Sequence, residues 1–325
     1  MAQYRFYTAD VFTDRAFQGA PIAVFPEAAA IPEALLPAIA RELNLSETVF
    51  VYPDTVTDTV TDTISDTASS TSPATPPQRF RLRVFGPAGE VDFAGHPMLA
   101  AARVLLGTGL GPLGERPLPL TFVQNSGAIS VNLGPARGNA CFVQFSLRVN
   151  PVLDRYTPTP AELAALLSLP EREIDTRLFA TRLASIEVPY LIVPILSQEA
   201  VEKARFNLEA WSQSGAPALA AQEIFLFSGR TRTRDADFHG RLLGPAIGPR
   251  SDPPIGSVMP CFAGYLADHA HIREGTYTFT IDRGTPETRR SLLHIEIDKR
   301  RDRPAMLRVG GDAVLVTQGT LTLDF

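Results

Sequence analysis

Three polar residues lie where the surrounding sequence is apolar or turn-like, and their chemical types suit proton transfer. Glu47 opens the apolar run ETVFVY, His96 follows Gly95 at the start of GHPMLAAARVLL, and Asp252 precedes PPIGS. An apolar surrounding disfavours the charged form of a carboxyl group, which raises its pKa toward values useful for general acid–base catalysis. Together the three residues predict a site that moves protons at carbon.

Each of these residues also has a structural interpretation when it is considered alone. Glu47 could cap the edge of a strand, and His96 could hydrogen-bond to backbone at the start of a helix. Asp252 could form an Asx turn before the proline that follows it. The functional interpretation depends on the three residues occurring together, at equivalent places in a repeated pattern.

The repeat relates residues 85–106 to residues 243–269. Each segment contains Gly-Pro, then a glycine followed by a polar residue, and then a helix rich in small apolar residues. About half of the chain separates the segments, which favours two similar domains over a short-period repeat. Two such domains are expected to enclose a cleft, where the unpaired N–H groups of each helix start attract a carboxylate. The two dipeptides are Gly95-His96 and Gly256-Ser257.

Local patterns mix strands and helices, which predicts the α+β fold class. Helices are predicted over residues 32–44 and from Thr159, which forms a capping box with Glu162. The C-terminal run MLRVGGDAVLVTQGTLTL predicts short strands with hairpin turns at its glycines. Strands are predicted at residues 3–12, 21–26, 47–52 and 80–86.

The chain is expected to divide into residues 1–120 and residues 121–325, with final strands that can cross back to the first domain. Residues 54–77 are rich in threonine, serine and aspartate and contain no basic residue. Their low hydrophobicity predicts a flexible surface insertion in the first domain.

Composition excludes several classes of protein. The 325 residues carry a formal net charge of −5, which does not favour nucleic acid or an anionic membrane. Two cysteines are too few for a disulfide framework. The longest apolar segment, YLIVPIL, is far shorter than the roughly 20 residues that span a bilayer. The sequence therefore predicts a cytoplasmic protein that binds neither nucleic acid nor membrane.

Five motifs in order resemble those of the PhzF-type phenazine-biosynthesis-like isomerases, which have the diaminopimelate-epimerase-like fold. The motifs are YTADVFTDRAFQGAPIAVF, LSETVFV, AGHPMLAAARVL, SDPPIGSVMPCFAGYL and RVGGDAVLVTQGTL. The resemblance implies two pseudo-symmetric domains, each a curved, mostly antiparallel sheet or barrel around a central helix, with the active site between them. It also implies a homodimeric isomerase that needs no cofactor or metal and acts on a small carboxylate-bearing substrate.

The resemblance also implies a role for each motif residue. Glu47 moves a proton between carbons of the substrate, giving a double-bond shift or an epimerisation, while His96 and Asp252 bind and polarise the substrate. The implied catalytic residues are therefore Glu47, His96 and Asp252, and the implied substrate-binding residues are Gly95, Gly256 and Ser257.

Two departures from the family pattern motivate an alternative function. Ala20 stands where the family has asparagine, and Pro254-Ile255 replaces a small and hydroxylic pair. A non-catalytic small-molecule binding protein on the same fold is the first alternative. An amino-acid racemase or epimerase is the second, but a version with two thiols is disfavoured because the Gly-His-Pro motif lacks cysteine. Cys141 and Cys261 are therefore predicted to be core residues.

Overall fold

The structure is a computed structural model whose described part forms two compact units. Unit 1 comprises residues 1–148 and 310–325, and unit 2 comprises residues 149–309. The predicted insertion at residues 54–77 lies outside the described residues, apart from Asp54. The described residues are 1–54, 78–86, 89–108, 110, 117–148, 151–155, 157–186, 188–214, 223–248, 252–301 and 303–323.

Strands dominate the described part of the chain. In chain order they are β1 (Ala2–Val11), β2 (Ala20–Phe25), β3 (Glu47–Pro53), β4 (Gln78–Gly86), β5 (Gly89–Val91), β6 (Leu118–Gln124), β7 (Gly127–Arg137), β8 (Ala140–Arg148), β9 (Val152–Asp154), β10 (Arg182–Ser185), β11 (Pro189–Pro194), β12 (Glu223–Ser228), β13 (Phe238–Leu243), β14 (Gly275–Arg283), β15 (Ser291–Lys299) and β16 (Met306–Leu323). The α-helices are α1 (Leu36–Leu43), α2 (Gly95–Thr108), α3 (Pro160–Leu167), α4 (Gln198–Lys203), α5 (Leu208–Gln213) and α6 (Met259–Ala267).

Unit 1 is a closed barrel around α2. Its strands follow the order β1, β2, β3, β4, β6, β7, β8 and β16, and β16 pairs with β1 to close the ring. Every residue of α2 from Gly95 to Leu105 is buried, and the helix contacts β1, β2, β3, β7 and β8. A helix that is apolar on all sides needs such an enclosure. The α+β prediction is therefore confirmed, with a barrel and central helix in this unit.

Unit 2 repeats the strand pairings of unit 1. In unit 1, β2 and β3 are parallel, β3 and β4 antiparallel, and β4 and β6 parallel. In unit 2, β11 and β12 are parallel, β12 and β13 antiparallel, and β13 and β14 parallel. Helix α6 holds the position of α2, and all of its residues are buried. The repeat predicted from sequence therefore corresponds to a repeat in the order and direction of the paired strands.

Several predicted elements are confirmed with small changes at their ends. Helix α1 starts later than predicted, after a short 3-10 turn at Glu33–Leu35, and Asn44 ends it in the left-handed conformation. Helix α3 has the predicted capping box, in which Thr159 accepts from the N–H of Glu162 and the Glu162 carboxylate accepts from the N–H of Thr159. The domain boundary predicted after residue 120 falls inside β6, which pairs with β4 and β7.

The predicted hairpin turns near the C-terminus are wrong, because β16 is one continuous strand. Its glycines serve close packing. A Cβ at Gly310 would lie 2.7 Å from the backbone oxygen of Val143, and a Cβ at Gly319 would lie 2.7 Å from the ring of Phe6.

Among the described residues, no helix combines the length and apolar character needed to cross a membrane.

Candidate active site

Glu47 and His96 meet in unit 1. His96 Nε2 lies 2.8 Å from Glu47 Oε2 and donates its hydrogen to the carboxylate. The His96 side chain is 3% exposed and the Glu47 side chain 19% exposed, so the pair is largely shielded from water. The two residues are far apart in sequence, and the barrel brings the start of β3 to the first turn of α2.

The alternation of β3 explains the direction of the Glu47 side chain. Phe50 packs with Leu36 and Ile39 in a cluster on the outer side of the barrel, beneath α1. Successive residues of a strand point to opposite faces, so Glu47 lies on the face toward α2. The ring of Phe12 lies 6.4 Å from the ring of His96, centroid to centroid, and fills the space beside the pair.

The start of α2 is fixed by its neighbours. Buried Gln124, the last residue of β6, accepts from the N–H of Ala94 at 2.8 Å and donates to the Ala94 carbonyl at 3.0 Å. Gly95 packs against Phe145, and a Cβ at position 95 would lie 2.5 Å from that ring. The glycine before His96 is therefore required by packing, and the helix start is held in one position.

Electrostatics favour the ionised form of Glu47. Burial acts to raise the pKa of Glu47, but the attraction of His96 and hydrogen bonds from His96 and Ser46 outweigh it, so the pKa lies below the ordinary 4.5. The raised pKa expected from sequence is wrong here, because the donors around the carboxylate were not visible in the local pattern. Glu47 is therefore ionised at neutral pH and can accept a proton.

The second nitrogen of His96 is the feature that points to a ligand. Nδ1 is buried and has no hydrogen-bond partner among the described residues. A buried polar atom without a partner is costly, by about 1–3 kcal/mol. Such atoms in native proteins commonly serve a ligand, a water molecule or catalysis. The histidine is thus held by Glu47 on one side and available on the other.

The remaining predicted residues lie in unit 2 and are placed in two groups. Asp252 Oδ2 lies 3.3 Å from Nε of Arg283, and Asp252 Oδ1 is buried without a hydrogen-bond partner among the described residues. Both residues line a cavity of about 580 Å³, together with His239 and Arg241. The joint action of Asp252 with Glu47 and His96 stays a prediction.

Gly256 and Ser257 form a turn directly before α6, whereas Gly95 and His96 belong to the first turn of α2. Helix α6 begins at Met259 and carries a proline in its first turn. Ser257 hydrogen-bonds with the hydroxyl of Tyr190. The two dipeptides are therefore equivalent in sequence, but the polar partner at each helix start differs.

Neither cysteine is suited to catalysis. Cys141 and Cys261 are free and buried, as expected, and burial raises the pKa of each thiol to about 12. Thiolates are the reactive form, and at neutral pH these side chains remain thiols. Among the described residues, no group of three or more histidine, cysteine, aspartate or glutamate side chains is placed to hold a metal ion.

Sequence reasoning missed three residues in this region. Arg283 pairs with Asp252, and Tyr190 bonds to Ser257. Glu223 begins β12 as Glu47 begins β3. The run EIFLFS after Glu223 matches ETVFVY in character, so an alignment of strands within the repeat could have found this glutamate.

Comparison with known proteins extends over nearly the whole chain. A family model for phenazine biosynthesis-like proteins, PhzC-PhzF, matches residues 9–319. An uncharacterised isomerase of Mesorhizobium japonicum, mll1393, is 29% identical over 321 residues, which cover 96% of each chain. The crystal structure of a Bacillus anthracis phenazine biosynthesis protein of the PhzF family has a TM-score of 0.78 at 20% identity and covers 99% of this chain and 100% of that chain. A hydroxyproline epimerase of Agrobacterium vitis, solved with trans-4-hydroxy-L-proline, has a TM-score of 0.59 at 12% identity, covering 100% and 92% respectively.

Proposed function

Because the chain belongs to the family of phenazine biosynthesis-like proteins and is an isomerase, we propose that Glu47 is the acid–base residue of the isomerisation. In this proposal Glu47 takes a proton from one carbon of a small substrate that bears a carboxylate. Reprotonation at another carbon gives a double-bond shift, and reprotonation at the same carbon from the other side gives an epimerisation.

The observation that carries this proposal is the Glu47–His96 pair at the start of α2. The carboxylate is ionised because His96 donates to it at 2.8 Å. The same histidine keeps a buried nitrogen without a partner among the described residues, which is suited to a polar atom of the substrate. The Glu47–His96 pair therefore offers the substrate both a base and a polar contact.

The first turn of α2 supplies the electrostatic part of the mechanism. Removal of a proton next to a carboxylate leaves negative charge on the substrate. The N–H groups of a helix start stabilise such charge, since they have no partner within the helix and lie at the positive end of its dipole. We assign Gly95 to this contact, Asp252 with His96 to binding and polarising the substrate, and Gly256 and Ser257 to substrate binding.

The proposal is tested by proton exchange at carbon in D₂O, followed by proton NMR. The probes are cyclohex-2-ene-1-carboxylate, which has an activated C–H bond between a double bond and a carboxylate, and the cyclic amino acids L-proline and trans-4-hydroxy-L-proline. General acid–base residues typically contribute about 10²- to 10⁴-fold in rate. Glu47→Gln should lower exchange by this factor and leave the thermal midpoint nearly unchanged.

Glu42→Gln is the matched control, because Glu42 is exposed on α1 and the chemical change is the same. Exchange by the Glu42 variant should equal that of the unchanged protein. Equal exchange by the Glu47 variant would contradict the role of Glu47. Binding of a probe that no variant exchanges would favour the small-molecule binding protein to which Ala20 and Pro254-Ile255 point.

A further inference from the structure

A cavity of about 580 Å³ in unit 2 has a lining in which positive charge predominates. Its described lining residues all belong to unit 2. They come from the end of α4 and the chain after it, from β13, from the segment before α6, and from the end of β14 with the turn that follows. Four of these residues are arginines and two are acidic, namely Arg205, Arg241, Arg283 and Arg289 against Glu202 and Asp252.

Most of the acidic residues near this cavity are already paired with other cations. Glu202 accepts a hydrogen bond from Nη1 of Arg232 at 3.0 Å and pairs with its Nη2 at 2.9 Å, and Arg232 is not one of the lining residues. In β14, Asp282 is paired with Arg290 at 3.0 Å. Among the described lining residues, Asp252 is therefore the carboxylate that remains to balance the arginines.

Two of the arginines are held in place by backbone carbonyls at the end of α4. Nη1 of Arg205 donates to the carbonyls of Glu202 and Ala204 at 3.0 and 2.8 Å, and Nη1 of Arg241 donates to the same two carbonyls at 3.0 and 3.1 Å. Carbonyls at the end of a helix have no partner within it, so they accept such bonds and carry no full charge. No carboxylate among the described residues lies within ion-pair distance of either guanidinium. Both side chains are thus positioned without being neutralised.

The third arginine, Arg283, is buried and incompletely bonded. Its side chain is 6% exposed, and its Nε lies 3.3 Å from Oδ2 of Asp252 without the alignment that a hydrogen bond needs. Burial lowers the pKa of Arg283 below its ordinary value, and repulsion by Arg289 and Arg241 acts in the same direction, against the attraction of Asp252. The guanidinium groups are therefore close enough to repel one another, and an anion between them would relieve this repulsion.

We propose that this cavity is a binding site for an oxyanion with two negative charges, held by Arg205, Arg241 and Arg283. Even without Arg289, three guanidinium groups face one carboxylate, that of Asp252, which leaves two positive charges to be balanced. The planar fork of N–H groups on arginine fits the oxygen atoms of a carboxylate or a phosphate. The class of ligand is therefore a dicarboxylate or a phosphate group. The inference concerns unit 2 by itself and does not depend on the role of Glu47.

The first test is isothermal titration calorimetry of the complete protein with inorganic phosphate, succinate and acetate, with the ionic strength kept constant by sodium chloride. We expect saturable binding of phosphate or succinate and weaker binding of acetate, which carries one charge. Binding of phosphate indicates a phosphate group as the natural ligand, and binding of succinate indicates a dicarboxylate. Saturable binding of neither, or binding of acetate as tight as that of both, overturns the inference.

The second test uses variants with opposite expected effects on the affinity for the anion that binds. Arg283→Gln and Arg205→Gln should each weaken binding by about tenfold or more, because each removes a charged donor. Arg205 is exposed, so its replacement does not endanger the fold. Asp252→Asn should instead strengthen binding several-fold, because it removes the carboxylate that competes with the ligand for Arg283. Arg273→Gln is the matched control, since Arg273 is an exposed arginine of unit 2 outside the lining, and it should bind as the unchanged protein does.

The pattern across the variants decides the outcome. Unchanged affinity in both Arg283→Gln and Arg205→Gln, or an equal loss in Arg273→Gln, would overturn the site. Weaker binding by Asp252→Asn would also contradict it, because the carboxylate would then support the ligand and not oppose it. None of these measurements uses proton exchange at carbon, so their failure leaves the proposed function standing, and failure of the exchange assay leaves the anion site standing.

Discussion

Replacement of His96 by phenylalanine tests the electrostatic account of Glu47 most directly. The ring is retained in a buried position, but the N–H donor that lies 2.8 Å from the Glu47 carboxylate is lost. Burial then acts on Glu47 with only Ser46 to oppose it, and burial is the largest influence on this group. We expect the pKa of Glu47 to change from below 4.5 to above it.

The magnitude follows from the shielding of the pair. An exposed ion pair contributes about 0–1 kcal/mol, whereas a hydrogen bond to a charged group contributes about 1.5–3 kcal/mol. With side chains 3% and 19% exposed, the Glu47–His96 pair belongs to the second class. The coupling free energy between the two residues should therefore be about 1.5–3 kcal/mol at about pH 7.

The dependence on pH has a definite sign. A lowered pKa stabilises the fold at pH values above the ordinary 4.5, and this stabilisation is lost as the pH falls through the lowered value. A raised pKa, as expected in His96→Phe, stabilises the fold only at low pH and is lost as the pH rises. The free energies of unfolding of the unchanged protein and of His96→Phe should therefore differ more at about pH 7 than at about pH 4.

The assay is a double-mutant cycle of Glu47→Gln and His96→Phe, with urea unfolding followed by circular dichroism at both pH values. Fluorescence is unsuitable, since the one tryptophan, Trp211, lies in unit 2. A coupling free energy that is the same at both pH values would refute the electrostatic reasoning. In that case the loss on removing His96 would be a loss of packing.

Two further predictions concern packing and thiol reactivity. Gly95→Ala should destabilise the protein by about 1–3 kcal/mol, because the new methyl group meets the buried ring of Phe145. Gly107→Ala in the same helix meets the flexible ends of Leu315 at 3.2 Å and Arg103 at 3.5 Å and should be neutral or stabilising. Equal urea midpoints for the two variants would contradict this. Cys141 and Cys261 should not react with a thiol reagent in the folded protein at about pH 8, since each pKa is about 12, and both should react in denaturant. Rapid reaction of the folded protein would restore the thiol racemase as an alternative.

Elements with local signals were predictable from the sequence. The capping box at Thr159 and the left-handed end of α1 at Asn44 depend on residues within one helical turn. The α+β class followed from such patterns. The continuity of β16 did not, because Gly310 and Gly319 are required by Val143 and Phe6, which lie far away in sequence. A local sequence pattern does not distinguish a glycine that distant packing requires from a glycine that a turn requires.

The properties of the site residues were likewise only partly predictable from the sequence. The sequence indicated Glu47 and His96 only together with Asp252, and the resemblance to a family assigned their roles. Neither gave the hydrogen bond that lowers the pKa of Glu47. Glu223 was missed because its signal is its register in the repeat, and the repeat was recognised from the glycines before the helices. Register across parallel strands depends on contacts that a local pattern does not contain.

The difference between the two helix starts explains why Glu47 and Glu223, each the first residue of its strand, have opposite pKa shifts. In unit 1 the residue after the glycine is His96, whose N–H donates to Glu47 and favours the ionised form. In unit 2 the residue after the glycine is Ser257, which is engaged with Tyr190, so Glu223 receives no donor from the described residues and burial favours its neutral form. The strand pairings that maintain the fold are the same in both units and do not depend on this position. One side chain at each helix start can therefore decide the direction in which the pKa of the neighbouring glutamate shifts, without a change in the backbone that positions it.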